Sequence, residues 1–139
     1  MIKQIFFALT ILMLAGCSTT PVDLTTAKKI PDERIYDTTM TSQNDERNTS
    51  ITFLRDAGYL GSGCSHEVFV DNNKLFAIRA GEVIKVFLKE GEHFIRLETG
   101  HGLCPNISIS QDVRMVKGKD QEYRILLPSD GSLRLSRIK

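Results

Sequence analysis

Two short motifs, Cys64-Ser65-His66 and His101-Gly102-Leu103-Cys104, hold the residue types from which chemistry is most readily built. Two thiolates and two imidazoles can hold a zinc ion tetrahedrally. A cysteine beside a histidine can act as an activated nucleophile, and two thiols can close a disulfide. The three uses compete for the same sulfur atoms. Zinc needs both thiols reduced, and this spacing is not that of a standard zinc module. A thiol nucleophile needs one of them reduced, and no thiol-enzyme signature surrounds either cysteine. Elsewhere, Gly61-Ser62-Gly63 lacks the Gly-x-Ser-x-Gly elbow of serine hydrolases. The carboxylates Asp56, Glu67, Asp71, Glu82, Glu90 and Glu92 fall mostly in predicted turns, where acids are solvated and have no catalytic partner. The chain is therefore read as non-enzymatic, with no cofactor.

The compartment decides between the sulfur chemistries. Lys3 precedes an apolar run from Ile5 to Leu14 that only Thr10 interrupts, and the small pair Ala15-Gly16 follows. That is the layout of a secretory signal, with an apolar stretch too short for a permanent membrane span. The segment Leu14-Ala15-Gly16-Cys17 resembles the lipobox of bacterial lipoproteins. The resemblance implies that the signal, residues 1–16, is removed, and that Cys17 carries a diacylglycerol on its thiol and an acyl chain on its new amine. Only a thiol can form that thioether, and small neighbours let the backbone enter a peptidase cleft. Each buried CH₂ contributes about 0.8 kcal/mol, so several acyl chains anchor stably where one is marginal. Ser18 stands where an Asp would direct inner-membrane retention, so the resemblance implies an outer-membrane anchor with the domain facing the periplasm.

Loss of residues 1–16 leaves 123 of the 139 residues, enough for one small domain and a tether. Lys3 leaves with the signal, which reduces 18 basic residues to 17 against 17 acidic ones, a formal charge of zero. Such a balance excludes a nucleic-acid surface or a polybasic grip on anionic lipid. With Cys17 lipidated, Cys64 and Cys104 remain as an even pair in an oxidising compartment, and a disulfide between them is expected. It would close a loop of about 40 residues and contribute about 4 kcal/mol through chain entropy. The ligand set Cys64, His66, His101 and Cys104 stays as the metal alternative. With the bridge closed, both histidines read as exposed loop residues beside it.

Residues 17–48 are poor in large apolar side chains and rich in Thr, Ser, Asp, Asn and Lys, and read as a flexible tether. The one exception, Ile30-Pro31-Asp32-Glu33-Arg34-Ile35-Tyr36, can dock back on the domain through its apolar residues as a short turn or helical start, with Pro31 at the first position. From residue 49 to 139 the pattern changes to short apolar or alternating runs: Ile51–Arg55, Glu67–Val70, Lys74–Ile78, Val83–Leu88, Phe94–Glu98, Ile107–Met115, Tyr123–Leu127 and Leu133–Ile138. Turn-forming clusters such as Asp71-Asn72-Asn73 and Lys117-Gly118-Lys119-Asp120 separate them. This spacing predicts an all-β domain, a small antiparallel β-sandwich of about seven or eight strands. Phe53, Val68, Val70, Phe76, Ile78, Val86, Phe94, Ile95, Ile125 and Leu127 are its expected core. Arg55 and Asp56 are expected to form an ion pair at a strand end. The sheet edge beside Ile51–Arg55 is the expected docking surface.

The hairpins Val68-Phe69-Val70-Asp71-Asn72 and Lys89-Glu90-Gly91-Glu92-His93-Phe94-Ile95-Arg96-Leu97 resemble the PEGA-like β-sandwich domains of bacterial surface proteins, with Asn72 in place of a glycine and without the usual proline. Together with Arg55-Asp56-Ala57-Gly58, Gly61-Ser62-Gly63-Cys64, Gly102-Leu103-Cys104 and the Pro31–Tyr36 segment, they resemble a family of proteobacterial lipoproteins. That resemblance implies architecture and location and carries no activity. The expected role is a membrane-anchored binding or accessory module of the cell envelope that meets a protein or glycan partner. The alternatives are an inhibitor or immunity-type lipoprotein against a cell-wall hydrolase or toxin, and a metal-handling protein.

Overall fold

The computed structural model of the chain describes residues 19–58, 61–100, 103–127 and 131–139. The lipobox with Cys17, and His101, lie outside these residues. Among the described residues nine strands follow one another: β1 (Lys28–Lys29), β2 (Thr49–Arg55), β3 (His66–Val70), β4 (Asn73–Ile78), β5 (Glu82–Leu88), β6 (Gly91–Glu98), β7 (Ser108–Met115), β8 (Gln121–Leu126) and β9 (Arg134–Arg137). They form a five-stranded sheet, ordered β1-β5-β2-β8-β9, and a four-stranded sheet, ordered β4-β3-β6-β7. The fold is an all-β sandwich, and each of the eight runs read from the sequence is one of its strands.

The pairing is not purely antiparallel. Strand β1 runs parallel to β5, and β2 runs parallel to β8. Parallel neighbours need a long connection, and between β2 and β8 the chain builds the whole second sheet. As a result β2 is central, with β5 on one side and β8 on the other. The edge expected beside Ile51–Arg55 is therefore absent, because both sides of β2 are hydrogen-bonded.

Period-two burial explains the core. In β5, Ile84, Val86 and Leu88 turn inward while Lys85 points to solvent, and in β8 Tyr123 and Ile125 alternate with Glu122 and Arg124. The two sheets meet at Phe53, whose ring lies 5.5 Å from that of Phe76 on the opposite sheet and 6.2 Å from that of Tyr123 on the adjoining strand. Each such buried side chain contributes about 1.5–3 kcal/mol of transfer free energy. Phe94 departs from the expected core. It has the opposite parity to buried Ile95 and Leu97 on β6, and stays half-buried, as does Leu127 at the rim. Asp71 and Asn72, at φ 50° and 66°, make the tight β3–β4 turn. Both residues tolerate the left-handed region that such two-residue hairpins require. The Asp71 carboxylate then accepts the Phe94 N–H at 2.9 Å and faces His93 Nδ1 at 2.7 Å, which ties the turn to β6.

The segment Ile30–Tyr36 docks on the domain as expected, with a single 3-10 turn over Asp32–Arg34. The rest of residues 19–48 is held as well and departs from the flexible tether expected of it. Thr20 and Ala57 exchange backbone hydrogen bonds of 2.7 and 3.0 Å. Lys28–Lys29 add a short strand to β5, Ile30 is buried in the core, and Ile35 bridges to Phe76 of β4. Strands β4 and β5 border the same open side of the sandwich, one in each sheet. Residues 28–37 thus form a strap across that side, covering edges that would otherwise offer unpaired backbone groups to other chains. The strap is held by Arg34, whose guanidinium makes a two-pronged pair with Glu82 of β5 and donates to the Ala77 carbonyl of β4 at 3.1 Å. A polar segment with few apolar residues can dock because these specific contacts, rather than bulk burial, offset its ordering entropy.

Candidate functional site

The disulfide end of the sandwich gathers the residues that carry chemistry in the sequence. Cys64 and Cys104 are bridged, with Cα atoms 5.8 Å apart and 40 residues between them in sequence. A bridged sulfur offers a metal no thiolate, so the set Cys64, His66, His101 and Cys104 is not a ligand set with the bridge closed. No group of three metal-ligating side chains occurs among the described residues. Beside the bridge, β2 ends at Arg55, which is 2% exposed. Its guanidinium donates to the carbonyls of Cys64, of Ile78 at 3.1 Å and of Gly61 at 2.6 Å. The expected Arg55–Asp56 pair does not form. Asp56 accepts instead from Arg124 at 2.5 Å and from the Val22 N–H at 3.1 Å. Arg55 therefore acts as an internal clamp on the loop that carries Cys64. Burial lowers its pKa to about 10, partly offset by the charge of Glu82.

His66 is the largest departure from the sequence reading. It is fully buried rather than a loop residue, because it opens β3 on the same face as Val68 and Val70. Neither ring nitrogen has a hydrogen-bond partner. The ring lines a mostly apolar cavity of about 100 Å³, together with Cys64, Thr99, Pro105, Ile107 and Leu127. Burial, reinforced by the nearby Arg55 charge, lowers its pKa to about 3. The imidazole is thus neutral at any physiological pH. A base of that strength beside a closed disulfide has no nucleophile to activate.

This burial predicts a pH dependence. The folded pKa lies below the unfolded value of about 6.5, so the unfolded chain takes up the proton first. Stability is fully present above pH 6.5 and falls as the pH drops toward 3. At pH 5 the loss is about 2 kcal/mol. Urea midpoints measured at pH 7.5, 6 and 5 should fall accordingly, and His66→Leu should flatten that trend. An equal slope in the variant would assign the effect elsewhere.

At the other end of β2 lies a feature assembled from four separate stretches of chain. An open groove of about 640 Å³ is lined by Gln43 and Asn48 to Ser50, by Lys85 and Phe87 on the outer side of β5, by the turn 118–120, and by Arg137 and Lys139. Ser50 Oγ donates to Asp120 at 2.5 Å, and Lys85 Nζ lies 3.4 Å from the other carboxylate oxygen. The Ser50 hydrogen bond, with the charges of Lys85 and Lys139, holds the Asp120 carboxyl below its ordinary range. The side-chain oxygen of Asn48 is buried and has no hydrogen-bond partner. Sequence reading identified the turn Lys117–Asp120 but not its convergence with β2, β5 and the end of β9. The β5–β2–β8–β9 strand order brings them together, with the parallel β2–β8 pairing as its central contact. No protein-family model and no curated protein matches the chain.

Proposed function

We propose that this protein is a lipid-anchored binding module of the cell envelope, attached through Cys17, most simply to the outer membrane, and facing the periplasm. The reading includes the resemblance to proteobacterial lipoproteins with a PEGA-like sandwich. Its location rests on Leu14-Ala15-Gly16-Cys17, and a bridged Cys64–Cys104 pair suits an oxidising compartment. Its binding role rests on one observation. The reactive side chains at the disulfide end are locked, sulfur to sulfur and Arg55 to three carbonyls, while the far end carries an open, polar and charged groove. A stapled, strapped sandwich is a rigid platform for such a surface.

Two experiments test the two halves of this reading. Cys17→Ser should abolish incorporation of labelled palmitate and move the chain from the membrane fraction to the soluble periplasm. Unchanged membrane retention without label would remove the anchor. For the binding role, a photo-crosslinker placed at Gln43 in the groove should trap a discrete envelope partner. The same group at Leu103, beside the bridge, should not. Equal trapping at both positions, or at neither, would remove the assignment of binding to the groove.

A further inference from the structure

We propose that the groove at the Thr49 end of β2 binds an anionic saccharide, an assignment that rests on the binding-module reading and names its ligand. The charge comes first. After loss of the signal the chain is formally neutral, yet the groove sets Lys85, Lys119, Arg137 and Lys139 around a single lining carboxylate, Asp120. That carboxylate is already engaged by Ser50 and Lys85. No carboxylate side chain among the described residues pairs with Lys119, Arg137 or Lys139. Arg137 Nε donates to the Lys139 main-chain oxygen at 3.0 Å and the Lys139 charge acts on Asp120, yet four cations still stand against one lining carboxylate side chain, and an anion is the complementary occupant.

A simple anion does not satisfy the rest of the lining. The Asn48 oxygen is unpaired and shielded from solvent, which costs about 1–3 kcal/mol, and a donor in the groove that Asn48 lines would relieve that cost. A fully ionised group cannot supply a donor, whereas a sugar hydroxyl or acetamido N–H can. The half-buried Phe87 ring, with Lys85 Nζ 5.5 Å from its centroid, adds an apolar patch of the kind on which the C–H face of a sugar ring rests. A groove of about 640 Å³ has room for two such rings. A hydroxylated, carboxylate-bearing ring meets all three demands at once: anion, donor and apolar face.

The test uses the full-length protein purified in detergent and titrated calorimetrically. The probe is a disaccharide of two N-acetylhexosamines, one carrying a lactyl carboxylate. It should bind, and its neutral counterpart without the carboxylate should bind at least tenfold more weakly. Raising the salt from about 0.05 to about 0.3 M should weaken binding, because the cations are exposed. Lys119→Glu with Arg137→Glu, and separately Phe87→Ala, should each reduce affinity about tenfold or more while leaving the thermal midpoint near wild type. No binding of the acidic disaccharide overturns the proposal. So does equal affinity in the charge-reversed variant. Binding of inorganic phosphate or of an acidic hexapeptide as tight as that of the disaccharide also overturns it, and the peptide result would identify a protein ligand instead. If the disaccharide fails while crosslinks from Gln43 still trap a partner, the saccharide is wrong and the binding module stands. If both fail, both readings fall.

Discussion

Replacing Cys64 and Cys104 together by alanine is expected to lower the free energy of unfolding by about 4 kcal/mol. The bridge closes a 40-residue loop, and its removal returns that loop-closure entropy to the unfolded chain. Against the 5–15 kcal/mol typical of a domain, this is a large fraction. The loop it closes contains β3 to β6, so the staple joins the chain just before the second sheet to the chain just after β6. Urea unfolding provides two readouts. The midpoint should fall, and the slope m should rise, because an uncrosslinked unfolded chain exposes more surface. A fall in midpoint with unchanged m would instead locate the loss in the folded state, in the packing of His66 and Ile107 beside the bridge. Single replacements test the same bond and should match the double variant, apart from dimers formed through the remaining thiol.

Glu82→Ala is expected to cost about 3 kcal/mol, the usual penalty for stranding one partner of a mostly buried ion pair. Glu82 accepts from both arms of the Arg34 guanidinium and from the Arg79 N–H at 2.7 Å, and the two side chains of the pair are only 11% and 13% exposed. Burial alone would raise the Glu82 pKa, but the hydrogen bonds from Arg34 and Arg79 outweigh it, and the net shift is downward. A depressed carboxylate stabilises above its unfolded value and loses that contribution as the pH falls. Its window therefore lies below about pH 4.5 and overlaps only the lower part of the range, from pH 6.5 to 3, over which His66 acts. Arg34→Ala should cost about 2 kcal/mol, and the double variant Arg34→Ala/Glu82→Ala less than the sum of the two. Amide exchange separates local from global loss. Protection at Lys28 and Tyr36, whose N–H groups bond to Gly81 and Leu75, should collapse first. Loss spread evenly over β2 and β8 would show that the pair holds the whole sandwich rather than the strap.

The strap also shows where sequence reading stops. Strands such as β5 and β8 were legible because each buries one face, and that leaves an alternation of apolar and polar residues in the chain itself. The β3–β4 turn was legible because Asp and Asn are among the few residues that tolerate positive φ. The disulfide followed from counting cysteines. Lys28–Lys29 carry no strand signal at all, since two exposed lysines become a strand only because β5 offers an edge. The strap depends on single contacts, Arg34 to Glu82 and Ile30 to the core, with partners about 50 residues away. The apolar Ile30, Ile35 and Tyr36 marked the segment as able to dock, but a composition averaged over thirty polar residues registers neither its partners nor the docking of its flanks. His66 could have been placed by parity with Val68 and Val70, but its proximity to Cys64 drew it into the loop. The groove was not legible because its four parts meet only through the strand order β5–β2–β8–β9, and nothing local encodes which strands become neighbours.

Docking of residues 19–48 changes the reach of the anchor. A free coil from residue 17 to residue 48 would let the domain wander about 30 Å from its attachment point. With Thr20 already pinned to Ala57, the leash from Cys17 shrinks to three residues, about 10 Å when fully extended. With Cys17 as the proposed anchor, the pole holding Ala57 and the bridge is kept close against the bilayer. Strand β2 then acts as a spacer of about 23 Å. It carries the groove to the opposite pole, where it is held at a nearly constant height above the lipid and faces away from it.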